Sequence, residues 1–422
     1  MTKSISICAD WEPLPNPSLL GTLYAHAGGG KEIFEFEFDP DAISNQQIAS
    51  VSLDPRLGFY AGRQHPPHGQ TFGLFADASP DRWGRLLMKR RLERDQRAGI
   101  EDPKRRLVES DYLLGVHDEF RVGGLRFRIG YDGDFLDNRS QAAAPPFVQL
   151  RELEAAVAAL ERDQDNTAPA GSDWLRMLIA PGGSLGGARP KASVIDPEGR
   201  LWIAKFPSLR DESNVGAWEL VVQTLARQCG LNVPASLARQ FASSSHTFLV
   251  QRFDRTAQGR RLHFASAMTL TGHSDGDDAD SGVSYLELAR VLIDHGAQTN
   301  VDLQELWTRI LFNILVSNTD DHLRNHGFIL EPGQGWRLSA AYDMNPVPGS
   351  SGLKLNISES DNALDIDLVL SVAHYFRVSD DDAFAIMKHC VNVVRQWRKV
   401  ATALRLSERE QNFMASAFLL AE

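Results

Sequence analysis

Cysteine is scarce in this chain of 422 residues: Cys8, Cys229 and Cys390 are too few and too scattered for a disulfide framework or a zinc site built on paired Cys-x-x-Cys turns. A reducing cytoplasmic compartment is expected. The sequence also lacks any apolar run near the ~18 residues that cross a bilayer, and residues 1–11 show no long apolar leader. Positive charge is in deficit, with 44 lysines and arginines against 55 aspartates and glutamates, a net charge of −11. A surface of that sign does not draw nucleic acid by long-range attraction, which argues against a free-standing DNA-binding protein while leaving room for a basic protein partner.

What remains is a globular composition, 43% hydrophobic and 23% charged, over a length that implies two or three domains or lobes. Short β-like runs such as residues 34–38 alternate with Pro/Gly turns over the first ~135 residues. One helix is predicted there, with Ser79 as N-cap and Pro80 in its first turn. Its continuation carries Arg82, Arg85, Lys89, Arg90, Arg91 and Arg94, read as a solvated face rather than a partner-binding one. Residues 139–147 have the composition of a linker and 165–172 that of a loop, with a helix predicted over 148–162. Short strands flank a helix at 215–229, and beyond about 284 helices are predicted at 285–295, 303–316, 363–376, 381–404 and from 407 onward. Strand-rich first and helical second is the order of a protein kinase.

Four constellations bear on chemistry. Ser184, Gly186, Gly187, Ala188, Arg189, Pro190 and Lys191 make a glycine-rich turn entering a strand, able to aim backbone N–H groups at phosphate oxygens, or simply to form a hairpin. Lys205 sits in the apolar run 201–206, where it either snorkels from an edge strand or meets phosphates, with Glu219 the nearest suitable helical acid. Gln251, Arg252 and Phe253 close a strand that could offer backbone groups to an adenine edge. Asp320 and Asn325 then follow an apolar helix at the five-residue interval of a kinase catalytic loop, with Tyr342 and Asp343 eighteen residues on. Asp320 would accept or orient a hydroxyl proton, and Asn325 and Asp343 would hold Mg²⁺, a hard cation that prefers oxygen. Turn chemistry is the competing reading of Asn318-Thr-Asp-Asp. His322 and His326 invite a zinc reading, but the Asn325 and Asp343 spacing fits magnesium better. Asp275, Asp277, Asp278 and Asp280 do not keep an EF-hand register and read as a solvated loop.

Through most of its length the chain resembles the HipA family of bacterial toxin kinases. The resemblance is carried by the segments 75–85 and 111–127, by Ser184-x-Gly-Gly-Ala-x-x-Lys191, Glu219, Gly230-Leu-x-Val-Pro234 and Arg252-Phe-Asp-Arg255, and by Asn318-Thr-Asp-Asp-His-x-x-Asn325 with Tyr342-Asp343. It implies an α+β, protein-kinase-like (PI3/4-kinase-like) bilobal fold: a β-rich N-terminal domain over 1–138, a kinase N-lobe over 148–253 and an all-α C-lobe over 254–422. It implies an ATP- and Mg²⁺-dependent serine/threonine kinase with Asp320 catalytic and Asn325 and Asp343 on the metal. Lys205 and the stretch from Gly186 to Lys191 would take the phosphates. Gln251, Arg252, Phe253, His322, Asn325 and Tyr342 would contact the nucleotide, with Glu219 pairing the lysine. Ser184 matches a serine that family members autophosphorylate. Expected partners are a small DNA-binding HipB-like antitoxin and a protein substrate, an aminoacyl-tRNA synthetase, with operator DNA reached only through the antitoxin and no membrane. Gln251, Arg324 and Asp321 depart from the family pattern. A catalytically silent nucleotide-binding corepressor and a small-molecule or lipid kinase are the competing functions.

Overall fold

The computed structural model describes residues 2–28, 31–66, 71–139, 144–163, 178, 187 and 189–422. They fall into two compact units, the first made of 1–210 with 241–244 and 254–265, the second of 211–240, 245–253 and 266–422.

The first unit opens with β1 (Thr2–Ala9), β2 (Ser18–Gly28) and β3 (Lys31–Phe38). They join the later strand β4 (Leu125–Ile129) in an antiparallel sheet of order β3-β2-β1-β4. Alternation places Phe34, Phe36 and Phe38 on one face, where Phe36 meets Phe38 and Phe75 edge-on at centroid distances of 4.8 and 5.2 Å. Each buried phenylalanine contributes about 1.5–3 kcal/mol. Gly21 lies beneath Phe36, and a β-carbon there would come within 2.2 Å of the Glu37 carbonyl.

Next come α1 (Arg82–Arg97), α2 (Glu109–Leu114), β4 (Leu125–Ile129) and α3 (Leu150–Arg162). The N-cap of α1 is Asp81, whose carboxylate accepts from Gly84 N at 2.8 Å, and not Ser79. The Ser79 hydroxyl is already used by the preceding turn, donating to Phe75 O at 2.8 Å, so Pro80 precedes the cap. Nor is the basic stripe of α1 a free solvated face. Arg85 grips Glu109 on α2 with two bonds of 2.9 and 2.7 Å, and Arg90 donates to the carbonyls of Leu160 and Asp163 at the end of α3. The end of the expected linker is pinned as well, Pro145 O accepting from Ile195 N at 3.0 Å. Ile195 closes β5 (Lys191–Ile195), which pairs antiparallel with β6 (Leu201–Lys205).

The second unit holds α4 (Val215–Gln228) and the antiparallel pair β7 (Ser236–Arg239) and β8 (Thr247–Gln251). Two helices follow, α5 (Tyr285–His295) behind a Ser284/Glu287 capping box and α6 (Thr299–Leu315), buried on nearly every side from Leu306 to Leu315. The expectation of an all-α C-terminal part needs one correction: β9 (Gly327–Glu331) and β10 (Gly335–Leu338) form a hairpin. Its five- and four-residue strands are too short for their period of two to stand out among helical patterns. The predicted helix over 363–376 shrinks to α7 (Ile366–Ser371) followed by a 3₁₀ turn. That over 381–404 divides into α8 (Asp380–Val394) and α9 (Trp397–Ala403). The break turns Trp397 inward, stacked on Phe418 at 4.5 Å and 5.9 Å from Trp218. The chain ends with α10 (Glu408–Met414) and a last 3₁₀ turn.

Candidate active site

In the second unit, α6 hands the chain to the loop holding Asp320 through Ser317, which takes φ +48°. Asn318 fixes this exit: its N–H donates to Asn313 O at 2.8 Å and its side-chain amide donates to Asn313 Oδ1 at 3.0 Å. Asp320 itself is exposed. Its backbone carbonyl accepts from His322 N and from Asn325 Nδ2, both at 3.0 Å, so Asn325 braces the residue five positions before it. Asn325 is only 5% exposed, and its Oδ1 has no hydrogen-bond partner among the described residues.

The segment around Asp343 is zipped to the same loop. Tyr342 Oη donates to Arg324 O at 2.7 Å, Asn345 N to Asn318 Oδ1 at 3.0 Å and Val347 N to Ser317 O at 3.0 Å. Asp343 has φ +58°, a conformation that ordinary side chains adopt seldom and mostly where surroundings impose it. Phe253 lies 5.4 Å from the Tyr342 ring, so one expected hinge residue reaches this cluster. Gln251 ends β8 with its N–H donating to Ala235 O at 2.9 Å; Arg252 is buried. Glu219 is buried on α4 in the same unit.

The first unit carries the expected phosphate groups. Lys191 and Lys205 are direct cross-strand partners in the β5–β6 register, and both are buried. Like charges so placed repel. Lys191 is compensated by an acid, its Nζ lying 3.0 Å from the buried carboxylate of Asp81. The Lys191 carbonyl accepts from Trp83 Nε1 at 3.0 Å, a second tie to the start of α1. Gly187 has φ +90°, and a β-carbon there would come within 3.2 Å of Lys191 Nζ, so the backbone packs close over the ammonium. Pro190 O accepts from Phe206 N at 2.9 Å, and Arg189 is half-buried. Ser184, Gly186 and Ala188 lie outside the described residues.

Asn325 Oδ1, Asp343 and Asp320 are hard oxygen donors. Among the described residues no three His, Cys, Asp or Glu gather into a metal-holding group. Magnesium asks for less, one or two protein oxygens beside phosphates, and a buried carboxamide oxygen lacking a donor suits it. Sequence reasoning missed Asp81 and the surroundings of Asp321. Asp321 Oδ2 accepts from Tyr285 Oη at 2.5 Å, Asn313 Nδ2 at 2.7 Å and His326 Nε2 at 2.7 Å. Burial first, and then the Asp321 charge, holds the Tyr285 hydroxyl well above its ordinary pKa.

The fold and its loop define an α+β protein of protein-kinase-like architecture. Residues 183–403 match the HipA-like C-terminal domain, over half of the chain, and the chain belongs to the HipA-like family. HipA of Shewanella oneidensis MR-1, solved with HipB and its operator DNA, has a similar structure, with a TM-score of 0.68 over 99% of this chain and 95% of that one at 16% identity. At that identity the likeness shows the fold. Two curated proteins are similar over shorter stretches. One from Haemophilus influenzae, named "Putative kinase", is 26% identical over 187 residues, 40% of this chain and 54% of that protein. One from Sinorhizobium fredii, named "Putative kinase Y4dM", is 31% identical over 178 residues, 38% of this chain and 42% of that one. The chain spans about half the length of the curated relatives it matches.

Proposed function

We propose that this protein is an ATP- and Mg²⁺-dependent serine/threonine protein kinase, the toxin of a toxin–antitoxin pair. The observation that carries the reading is Asn325, whose Nδ2 braces Asp320 while its buried Oδ1 has no donor among the described residues. A magnesium ion held there would neutralise charge on the transferring phosphoryl group. Asn325 Oδ1 and the Asp343 carboxylate are the groups proposed to hold it. Asp320, exposed on a braced loop, orients the substrate hydroxyl and accepts its proton. In the first unit, Lys191, Lys205 and the backbone from Gly186 to Pro190 are the proposed phosphate contacts. Gln251, Arg252, Phe253, His322 and Tyr342 are the proposed nucleotide contacts, with Glu219 supporting the lysine. Ser184 is the proposed site of silencing autophosphorylation, since a phosphate there adds nearly two negative charges beside those of ATP.

A net charge of −11 suits a basic, HipB-like DNA-binding antitoxin, and the similar structure from S. oneidensis is a complex of HipA with HipB and operator DNA. The family resemblance supports an aminoacyl-tRNA synthetase as substrate and a cytoplasmic site of action. The test is incubation of the purified chain with labelled ATP and Mg²⁺, alone and with a cell extract. Label on Ser184 or on an extract protein, abolished by Asp320→Ala, is expected. A wild type that binds ATP yet labels nothing defeats the reading. Growth arrest on expression that survives Asp320→Ala points instead to a silent nucleotide-binding corepressor.

A further inference from the structure

Asp321 stands directly beside the proposed catalytic base, yet it is 2% exposed and cannot meet a substrate. One of its oxygens, Oδ2, receives three hydrogen bonds, from α5 (Tyr285), from α6 (Asn313) and from the residue preceding β9 (His326), all buried. Two of these partners lead on to the proposed metal ligands. His326 adjoins Asn325 in sequence, and its carbonyl is held by Ala267 N at 2.8 Å. Asn313 Oδ1 accepts from Asn318, whose own Oδ1 accepts from Asn345 N, two residues beyond Asp343.

We propose that Asp321 is a positioning residue whose carboxylate sets Asn325 and Asp343 at the separation a divalent cation needs. The inference rests on the reading of those two residues as metal ligands. Partners that orient ligands from behind typically govern metal affinity by 10–100-fold. A carboxylate that collects three donors in a dry interior is hard to replace by a neutral group, because the donors lose a charge-assisted acceptor.

The test uses the full chain with Asp321→Asn, Tyr285→Phe and His326→Gln, and with Asp320→Asn as control. Three quantities are measured: Mn²⁺ affinity in the presence of a non-hydrolysable ATP analogue by electron paramagnetic resonance, analogue affinity without metal, and melting temperature. Asp321→Asn is expected to weaken Mn²⁺ at least tenfold with metal-free analogue affinity unchanged, and Tyr285→Phe to lie between it and wild type. Where phosphoryl transfer is measurable, kcat falls while the KM for ATP holds. Should Asp321→Asn fail to fold, the other two variants decide. Lowered melting temperature with wild-type Mn²⁺ affinity in folded variants means a merely structural role and overturns the proposal, as does a wild type that binds no Mn²⁺ with the analogue. Absence of Asp320-dependent transfer alongside a clear Mn²⁺ effect sinks the kinase reading and leaves the positioning role standing.

Discussion

Asp81 and Lys191 form a buried ion pair, 3.0 Å apart with side chains 3% and 7% exposed, and Asp81 is also the N-cap of α1. One carboxylate therefore starts a helix and neutralises one of two lysines that face each other across the β5–β6 pair. Breaking a buried pair by removing one partner costs much more than the pair itself is worth, because the remaining charge stays desolvated.

Asp81→Asn retains a good N-cap and removes only the charge, so its cost isolates the pair. A loss of about 3 kcal/mol is expected, read as a lower urea midpoint. Adding Lys191→Met should recover most of that loss, since the buried ammonium goes with it. Equal stability of Asp81→Asn and wild type would show that the charge on Asp81 does not matter.

Gly187 owes its identity to φ +90° and to the closeness of Lys191 Nζ, 3.2 Å from the place a β-carbon would occupy. A side chain there strains the backbone by about 1–2 kcal/mol and must displace the ammonium. Gly187→Val is expected to raise the KM for ATP roughly tenfold, equivalent to about 1.4 kcal/mol, with a smaller effect on kcat. Steady-state kinetics of the transfer reaction read this directly, and an unchanged KM would remove Gly187 and Lys191 from the nucleotide site.

Most of the architecture was legible because its signals are local. The stripe from Leu306 to Leu315 announces α6, and the helical periodicity of 285–295 announces α5. The helix 285–295 emerges at the predicted bounds. What escaped depends on partners far along the chain. Ser79 and Asp81 are equally good caps on paper, and only the Phe75 carbonyl decides between them. The arginines of α1 read as solvent-facing until Glu109 and the Leu160 and Asp163 carbonyls fold against them. Asp321 looked like a mere departure from a pattern, since Tyr285 lies thirty-six residues away.

His263, buried in the first unit and stacked on Trp11 at 4.6 Å, has its pKa pushed down by burial to about 3. The unfolded chain, with a histidine near 6.5, binds more protons than the folded one between pH 6.5 and 3. Stability is therefore complete above pH 6.5 and drains away as pH falls through that window. Lowering pH from 7.5 to 5 should cost about 2 kcal/mol from this group alone, measured by urea unfolding. His263→Phe should flatten that part of the profile; an unchanged slope would place the acid sensitivity elsewhere.

Glu410, on α10, reaches the N-terminus of α4: its Oε1 accepts from Asn214 N at 2.7 Å and from Trp218 Nε1 at 3.1 Å. The same end is held from the residue preceding β8, Asn214 Oδ1 accepting from His246 N at 2.8 Å, and Gly216 leaves no room for a side chain, whose β-carbon would sit 2.2 Å from His246 O. A carboxylate at a helix N-terminus also complements the helix dipole. Glu410→Ala leaves two donors without an acceptor and should cost about 1–3 kcal/mol, whereas Glu410→Gln keeps an oxygen in place and should lose under about 1 kcal/mol. Urea unfolding separates them. Since Glu219 lies on the helix so anchored, Glu410→Ala should also raise the KM for ATP in a protein that remains folded at the assay temperature. Equal losses for the two variants would show that charge at the helix end, and not the two hydrogen bonds, is what holds α4 to the C-terminal helices.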